Sequence, residues 1–182
     1  MKRALLVIDY TKDFVEGALP VGEPAIAIEK RLAAITEEAI VQGEYVVFAV
    51  DKHKAQDPYH PETALFPPHN IEGTAGRALY GQLQQLYAAY QDRENVAYMD
   101  KTRYSAFAGT DLEMQLRARH IQAIQLVGVC TDICVLHAAV DAYNKGFHLT
   151  VHTDAVASFN AAGHEWALAH MKSCLGATLC GQ

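Results

Sequence analysis

With 182 residues, the chain is long enough for one well-filled core and fits a single domain spanning residues 1–182. About half of it is hydrophobic and 20% is charged, and the net charge of −6 comes with no basic block, which weighs against nucleic acid as a partner. No stretch approaches a membrane span and the apolar run at the start is too short for a signal peptide, so a cytoplasmic location with four free cysteines is expected.

Residues 4–8 form a short, continuous apolar run that predicts a strand buried on both faces, ending at Asp9. A carboxylate at the end of a buried strand is costly unless it is paired or working. Residues 17–24 read as a loop, and 23–42 carry a helical pattern stopped by Gly43. A second buried strand, 45–50, ends in Asp51. The segment 52–76, rich in Pro, His and Gly, is too long for an idle connection in a compact domain. Residues 75–90 look helical, 95–99 form a third strand, and Thr110 or Asp111 could cap a helix through Arg119. A fourth strand, 121–129, leads to a helix that carries Cys134 and runs to Gly146. A fifth strand over 148–152, a helix over 160–175 stopped by Gly176, and a possible sixth edge strand at 177–180 complete the chain.

Short buried strands alternating with amphipathic helices imply an α/β fold, a parallel sheet with helices on both faces and right-handed crossovers. Sites in such sheets form beyond the carboxyl ends of the strands. Asp9, Asp51, Lys101 and the turn around Cys134 all fall just after predicted strands, so they should converge on one edge.

Cys134 lies at a strand-to-helix junction, where unpaired N–H groups and the helix dipole favour thiolate over thiol. Asp9 could take the thiol proton, Lys101 could stabilise the thiolate, and N–H groups at Cys134 and in the turn before it could receive an oxyanion. A buried, purely structural cysteine is the competing reading for any one such residue. Cys130 and Cys134 do not have the C-x-x-C redox spacing. In the long loop, Asp51 and His53 are two residues apart and face one side of extended backbone. Glu62 and His69 lie further along, with His60 and Asp57 as competitors. Imidazoles with carboxylates suit Zn²⁺, Mn²⁺ or Fe²⁺.

Asp9-Tyr10-Thr11-Lys12-Asp13-Phe14, Lys101 and Thr131-Asp132-Ile133-Cys134-Val135 resemble the three motifs of the isochorismatase-like cysteine hydrolases. Asp51-x-His53, Phe66-Pro67-Pro68-His69 and Gly73-Thr74-x-Gly76 look like the metal loop of the nicotinamidases in that superfamily. The resemblance spans nearly the whole chain and implies a single-domain, Rossmann-like three-layer fold with a six-stranded parallel sheet. It implies hydrolysis of nicotinamide to nicotinate and ammonia in NAD salvage, through a thioester on Cys134. Asp9 would be the general base and Lys101 the third catalytic residue. Asp51, His53, Glu62 and His69 would hold one divalent metal, zinc first among the options, which anchors the pyridine nitrogen. Phe14, Leu19, Phe66 and Tyr104 would form the ring pocket, and pyrazinamide should fit it too. A cis Val129–Cys130 peptide is implied, with the N–H groups of Cys130 and Cys134 aimed at the oxyanion. The expected partners are the small-molecule substrate and further copies of the same chain, with no nucleic acid and no membrane.

Two departures from the family pattern stand out. Many members carry Gln where this chain has Thr11, a difference of little mechanistic weight; others carry His where Glu62 stands, which leaves His60 as an alternative ligand. Three further readings compete. A carbamoyl or ureido amidase of the same superfamily has no need for a ring-anchoring metal. A hydrolase whose metal activates water would leave Cys134 structural. A silent binding protein on the same fold would not need Asp9, Lys101 and Cys134 together.

Overall fold

The apolar runs pair side by side. The structure, a computed structural model, describes residues 1–181. Strands β1 (Arg3–Ile8), β2 (Tyr45–Asp51), β3 (Val96–Lys101), β4 (Ala123–Val129), β5 (His148–Ala157) and β6 (Thr178–Cys180) form one parallel sheet in the order β3-β2-β1-β4-β5-β6. The chain winds outward from β1 in both directions, so the order reverses between β1 and β4. That switch point is where doubly wound sheets place their sites.

Side chains alternate across the strands and fill two cores. Leu5 and Val7 pack with Val46, Phe48 and Val127 beneath α2 (Glu23–Val41) and α3 (Gly81–Tyr90). Leu6 and Ile8 pack with Val47, Ile124 and Leu126 beneath α4 (Leu112–Ala118), α5 (Leu136–Asn144) and α6 (Ala161–Cys174). These residues form strands because β-branched and aromatic side chains fit a surface covered on both faces. The short helix α1 (Lys12–Val15) interrupts what reads as a strand-to-loop exit, with Thr11 at its N-cap. Among the described residues, no helix is long and apolar enough to cross a membrane.

Three expectations about elements need correction. The helix predicted over 75–90 is broken: a 3₁₀ turn spans Ala75–Arg77, and α3 begins only at Gly81. Between them the backbone is extended and docks on the first motif, with Lys12 N donating to Ala78 O at 2.9 Å and Tyr80 N to Tyr10 O at 3.1 Å. Tertiary pairing outbids the helical pattern there. β5 runs five residues beyond the predicted end, through a register shift opposite Leu126 and Gly128. The helix carrying Cys134 does not start as an α-helix, because Thr131–Val135 forms a π-helical turn that precedes α5.

Gly128 sets the closeness of the two central strands. It pairs with Ile8 at φ 117, and a Cβ there would lie 2.0 Å from the Ile8 carbonyl oxygen. Only glycine combines that dihedral with that approach.

Candidate active site

Three strand ends bring the first group together. Asp9 follows β1 with φ 53, a left-handed conformation that Asp tolerates better than most residues. Its Oδ1 accepts the Asp51 N–H at 2.8 Å and its Oδ2 lies 2.6 Å from Lys101 Nζ. Lys101 and Asp51 are register partners at the ends of β3 and β2, and Lys101 Nζ donates to Asp51 Oδ1 at 2.5 Å. All three side chains are fully buried, so one ammonium is shared between two carboxylates in a low-dielectric site.

The electrostatics follow from that sharing. Burial first, then the neighbouring Asp51 charge, push the Asp9 pKa up to about 7 against the pull of Lys101. Burial works to lower the Lys101 pKa, but Asp51 and Asp9 hold it well above the ordinary lysine value, so it stays an ammonium. An acid poised near neutrality can both accept and return a proton.

Cys134 sits within the π-helical turn. The N–H groups of Ile133 and Val135 both donate to the Cys130 carbonyl at 3.1 Å, which coils the turn around the end of β4. The Cys134 Sγ and one oxygen each of Asp9 and Asp51 lie within 4.8 Å of one another. The N–H groups and dipole that favour thiolate are opposed by burial. Burial raises the Cys134 pKa well above the ordinary thiol value, and Lys101 only partly opposes it.

A second group hangs on the 52–76 segment. Asp51, His53, Glu62 and His69 are all buried, and each presents one donor atom within 4.8 Å of the others. Asp51 Oδ2, His53 Nε2 and His69 Nε2 have no hydrogen-bond partner among the described residues. Four converging side chains, three of them with a buried atom left unpaired, fit a divalent cation. His69 Nδ1 donates to the Pro67 carbonyl at 2.8 Å, the arrangement that leaves Nε2 as a lone pair. Burial holds the His53 pKa below the ordinary histidine value, keeping it neutral. Burial works to raise the Glu62 pKa, but His69 and His53 outweigh it and keep the carboxylate ionised.

His60 is excluded from this set by its own bonds. Its Nε2 reaches the Thr102 carbonyl at 2.8 Å and its Nδ1 accepts the Glu62 N–H at 3.3 Å. Nδ1 thereby caps the 3₁₀ turn Pro61–Ala64 while Nε2 is held by Thr102, and Glu62 within that turn is buried.

Between the two groups lies a closed cavity of about 10 Å³, walled by Phe14, Leu19, Phe66, Tyr104, Cys130 and Cys134, with Glu62 and His69 at one side. All four aromatic and aliphatic pocket residues expected from the motifs are in its wall. Two more are there that the sequence reading misses, Ile133 and Phe159. Ile133 lies inside the cysteine motif and could have been named from it. Phe159, 43% exposed, follows a strand whose predicted end falls five residues too early. The Val129–Cys130 peptide is cis. Thr11 carries more than the motif comparison implies: it is fully buried, and its hydroxyl donates to Asn70 Oδ1 at 2.9 Å.

The chain matches the isochorismatase domain model over residues 3–182. It is 60% identical to the uncharacterised isochorismatase family protein PncA of Bacillus subtilis (strain 168), over 97% of this chain and 98% of that one. The crystal structure of nicotinamidase/pyrazinamidase PncA from Bacillus subtilis superposes with a TM-score of 0.97 at 60% identity, covering 99% and 100% of the two chains. That of Pyrococcus horikoshii pyrazinamidase in complex with zinc superposes with a TM-score of 0.86 at 28% identity, covering all of both chains.

Proposed function

The chain belongs to the isochorismatase family, and from that premise we propose that it is a nicotinamidase, hydrolysing nicotinamide to nicotinate and ammonia through a thioester on Cys134. The observation that carries this reading is the joint occupancy of one small aromatic cavity by a thiol beside a buried carboxylate and by a ligand set with unpaired lone pairs. A carboxamide on a ring whose nitrogen is itself a ligand uses both. A carbamoyl or ureido substrate would leave the ligand set idle.

Asp9 takes the proton from Cys134, and the thiolate attacks the carboxamide carbon. Lys101 holds Asp9 in place and offsets the negative charge that the step concentrates in a buried site. The N–H groups of Cys130 and Cys134 face the developing oxyanion. Asp9 then returns its proton to the departing nitrogen, which leaves as ammonia. Water, deprotonated by the same carboxylate, cleaves the thioester to nicotinate and regenerates the thiol. Phe14, Phe66 and Tyr104 hold the ring by stacking and edge contacts. The cavity as it stands has room for about one water, so Phe159 and Leu19 at its rim must give way when a ring enters.

Asp51, His53, Glu62 and His69 would hold the divalent ion, for which zinc suits the two-imidazole, two-carboxylate set. Bound there, it would supply a Lewis-acidic anchor for the pyridine nitrogen. Pyrazinamide keeps both the ring nitrogen and the carboxamide and is a second expected substrate. Nicotinate as product places the enzyme in NAD salvage.

The test is ammonia release from nicotinamide by the purified protein, untreated, chelated, or treated with iodoacetamide. Turnover lost on alkylation and weakened by chelation is expected. Turnover that survives alkylation and vanishes on chelation would point to a metal-activated water and overturn the thioester route.

A further inference from the structure

Asn70 follows the ligand His69 and is wholly buried, with φ 45. Its backbone and side chain tie three segments together. Its N–H donates to Asp13 Oδ2 at 2.8 Å, its carbonyl accepts the N–H of the ligand His53 at 3.1 Å, and its Oδ1 accepts the Thr11 hydroxyl at 2.9 Å. Asp13 in turn accepts the Ala18 N–H at 3.2 Å on Oδ1, fixing the start of the segment that carries Leu19. Gly76 presses on the same carboxylate, since a Cβ there would lie 2.2 Å from Asp13 Oδ1. Asn70 Nδ2 is buried with no partner among the described residues, so the side chain is held by its oxygen alone.

This node joins the 52–76 segment to the first motif beside His53 and His69. We propose that Asn70, clamped by Thr11 and Asp13, is a positioning residue that sets the spacing of His53 and His69 and thereby the affinity of the metal site. The inference rests on the reading of Asp51, His53, Glu62 and His69 as ligands. The reasoning is local. His53 and His69 are 16 positions apart in sequence on an irregular segment, and the isolated bridge between His53 and Ile71 is the one ladder contact next to them. Without a clamp, each lone pair would sample a range of directions, and a preorganised set would become a floppy one. Asparagine suits the post because it tolerates positive φ while offering an acceptor to Thr11. Thr11 thereby stops being a neutral family variation: its hydroxyl reaches across to the segment that carries the metal ligands.

The test is the zinc affinity of the purified full chain, measured by competition with a chromogenic chelator in the absence of substrate. Thr11→Val keeps the shape and removes the donor; Thr11→Ser restores it. Asn70→Gly keeps the positive φ and removes the side chain, and Gly76→Ala displaces the Asp13 carboxylate. Thr36→Val removes a buried hydroxyl elsewhere, one that bonds the Leu32 carbonyl at 2.8 Å inside α2. Zinc affinity should fall about tenfold to a hundredfold in Asn70→Gly, in the range seen when outer partners of metal ligands are lost. Thr11→Val and Gly76→Ala should fall in the same direction, Thr11→Ser should stay near wild type, and Thr36→Val should lose stability without losing zinc affinity. Wild-type affinity in Thr11→Val, or an equal loss in Thr36→Val at equal destabilisation, would overturn the proposal. Should Asn70→Gly fail to fold, Thr11→Val and its serine rescue decide alone. A wild-type chain with no zinc affinity would overturn the ligand reading and this inference with it, whereas failure to release ammonia would leave the zinc comparison intact.

Discussion

Two polar networks lie on this sheet, one buried and one half-buried, and each contains a cysteine. At the carboxyl ends of the strands, Cys134 lies beside Asp9, Lys101 and Asp51. On the α2 face, Cys180 Sγ lies 3.3 Å from His152 Nδ1, His152 Nε2 lies 2.9 Å from Gln125 Oε1, and Gln125 Nε2 donates to Glu44 Oε2 at 2.6 Å, with Arg3 closing the chain on Glu44. By residue type the second network is the better imitation of a cysteine–histidine–amide nucleophile system. By physics it is the quieter one. Both ring nitrogens of His152 and both side-chain polar atoms of Gln125 are partnered, whereas Asp51 in the first network, and His53 and His69 in the group that adjoins it, keep unpaired atoms. Burial first, then Asp154, hold the Cys180 pKa above the ordinary thiol value, with Arg31 opposing.

The sharpest way to break that contrast is to exchange the two thiols for methyl groups. Cys134→Ala should cut ammonia release by roughly 10⁴-fold or more while the protein still binds zinc. Cys180→Ala should leave turnover within about twofold and cost about 1 kcal/mol of stability, read from urea melts. A comparable loss of turnover in both variants would erase the distinction. Next in size, Lys101→Met strands two carboxylates in the interior and should destabilise the fold by about 3–5 kcal/mol, visible as a drop in the urea midpoint at unchanged slope. Replacing His53 by Ala should deplete bound zinc beyond the tenfold-to-hundredfold of a positioning change and raise KM for nicotinamide, by metal analysis and steady-state kinetics on the same batch. The smallest effect belongs to His152. Burial depresses its folded pKa below the ordinary value of 6.5, so its contribution to stability is present above that value and is lost as the pH falls below it. His152→Gln should therefore show a shallower acid-side loss of stability than wild type, measured by unfolding across that window; parallel curves would remove the histidine from the scaffold.

Much of this was readable in the residues themselves. β1, β2 and β4 announce themselves because strands buried on both faces are nearly unbroken apolar runs; β2 ends in Asp51, and Asp9 and Cys130 directly follow β1 and β4. Asp9, Asp51, Lys101 and Cys134 could be placed on one edge because parallel strands share a direction. What could not be read depends on partners distant in sequence. The break at residues 78–80 exists because that stretch pairs with the first motif, and no local pattern encodes a tertiary bridge. Phe159 was hidden behind a strand continuing through Thr153 and Asp154, residues that locally read as an exit. The choice between Glu62 and His60 turned on the Thr102 carbonyl, 42 positions away from His60. The dipole argument for Cys134 counted nearby N–H groups and could not count the desolvation of the completed core.

The hydrogen atom on the α-carbon of Gly128, where other residues carry a side chain, has a consequence for how this sequence can vary. β1 leads to Asp9, the proposed base, and β4 to the turn of Cys134, the proposed nucleophile, and the gap between those two ribbons is set at the point where Gly128 meets the Ile8 carbonyl. Even a methyl group would collide with backbone on the other strand, which has no rotamer to retreat into. A library of substitutions scored for growth or turnover should therefore show two kinds of intolerant position: those where the chemistry resides, and this one, where nothing reacts and the permitted alphabet has a single letter.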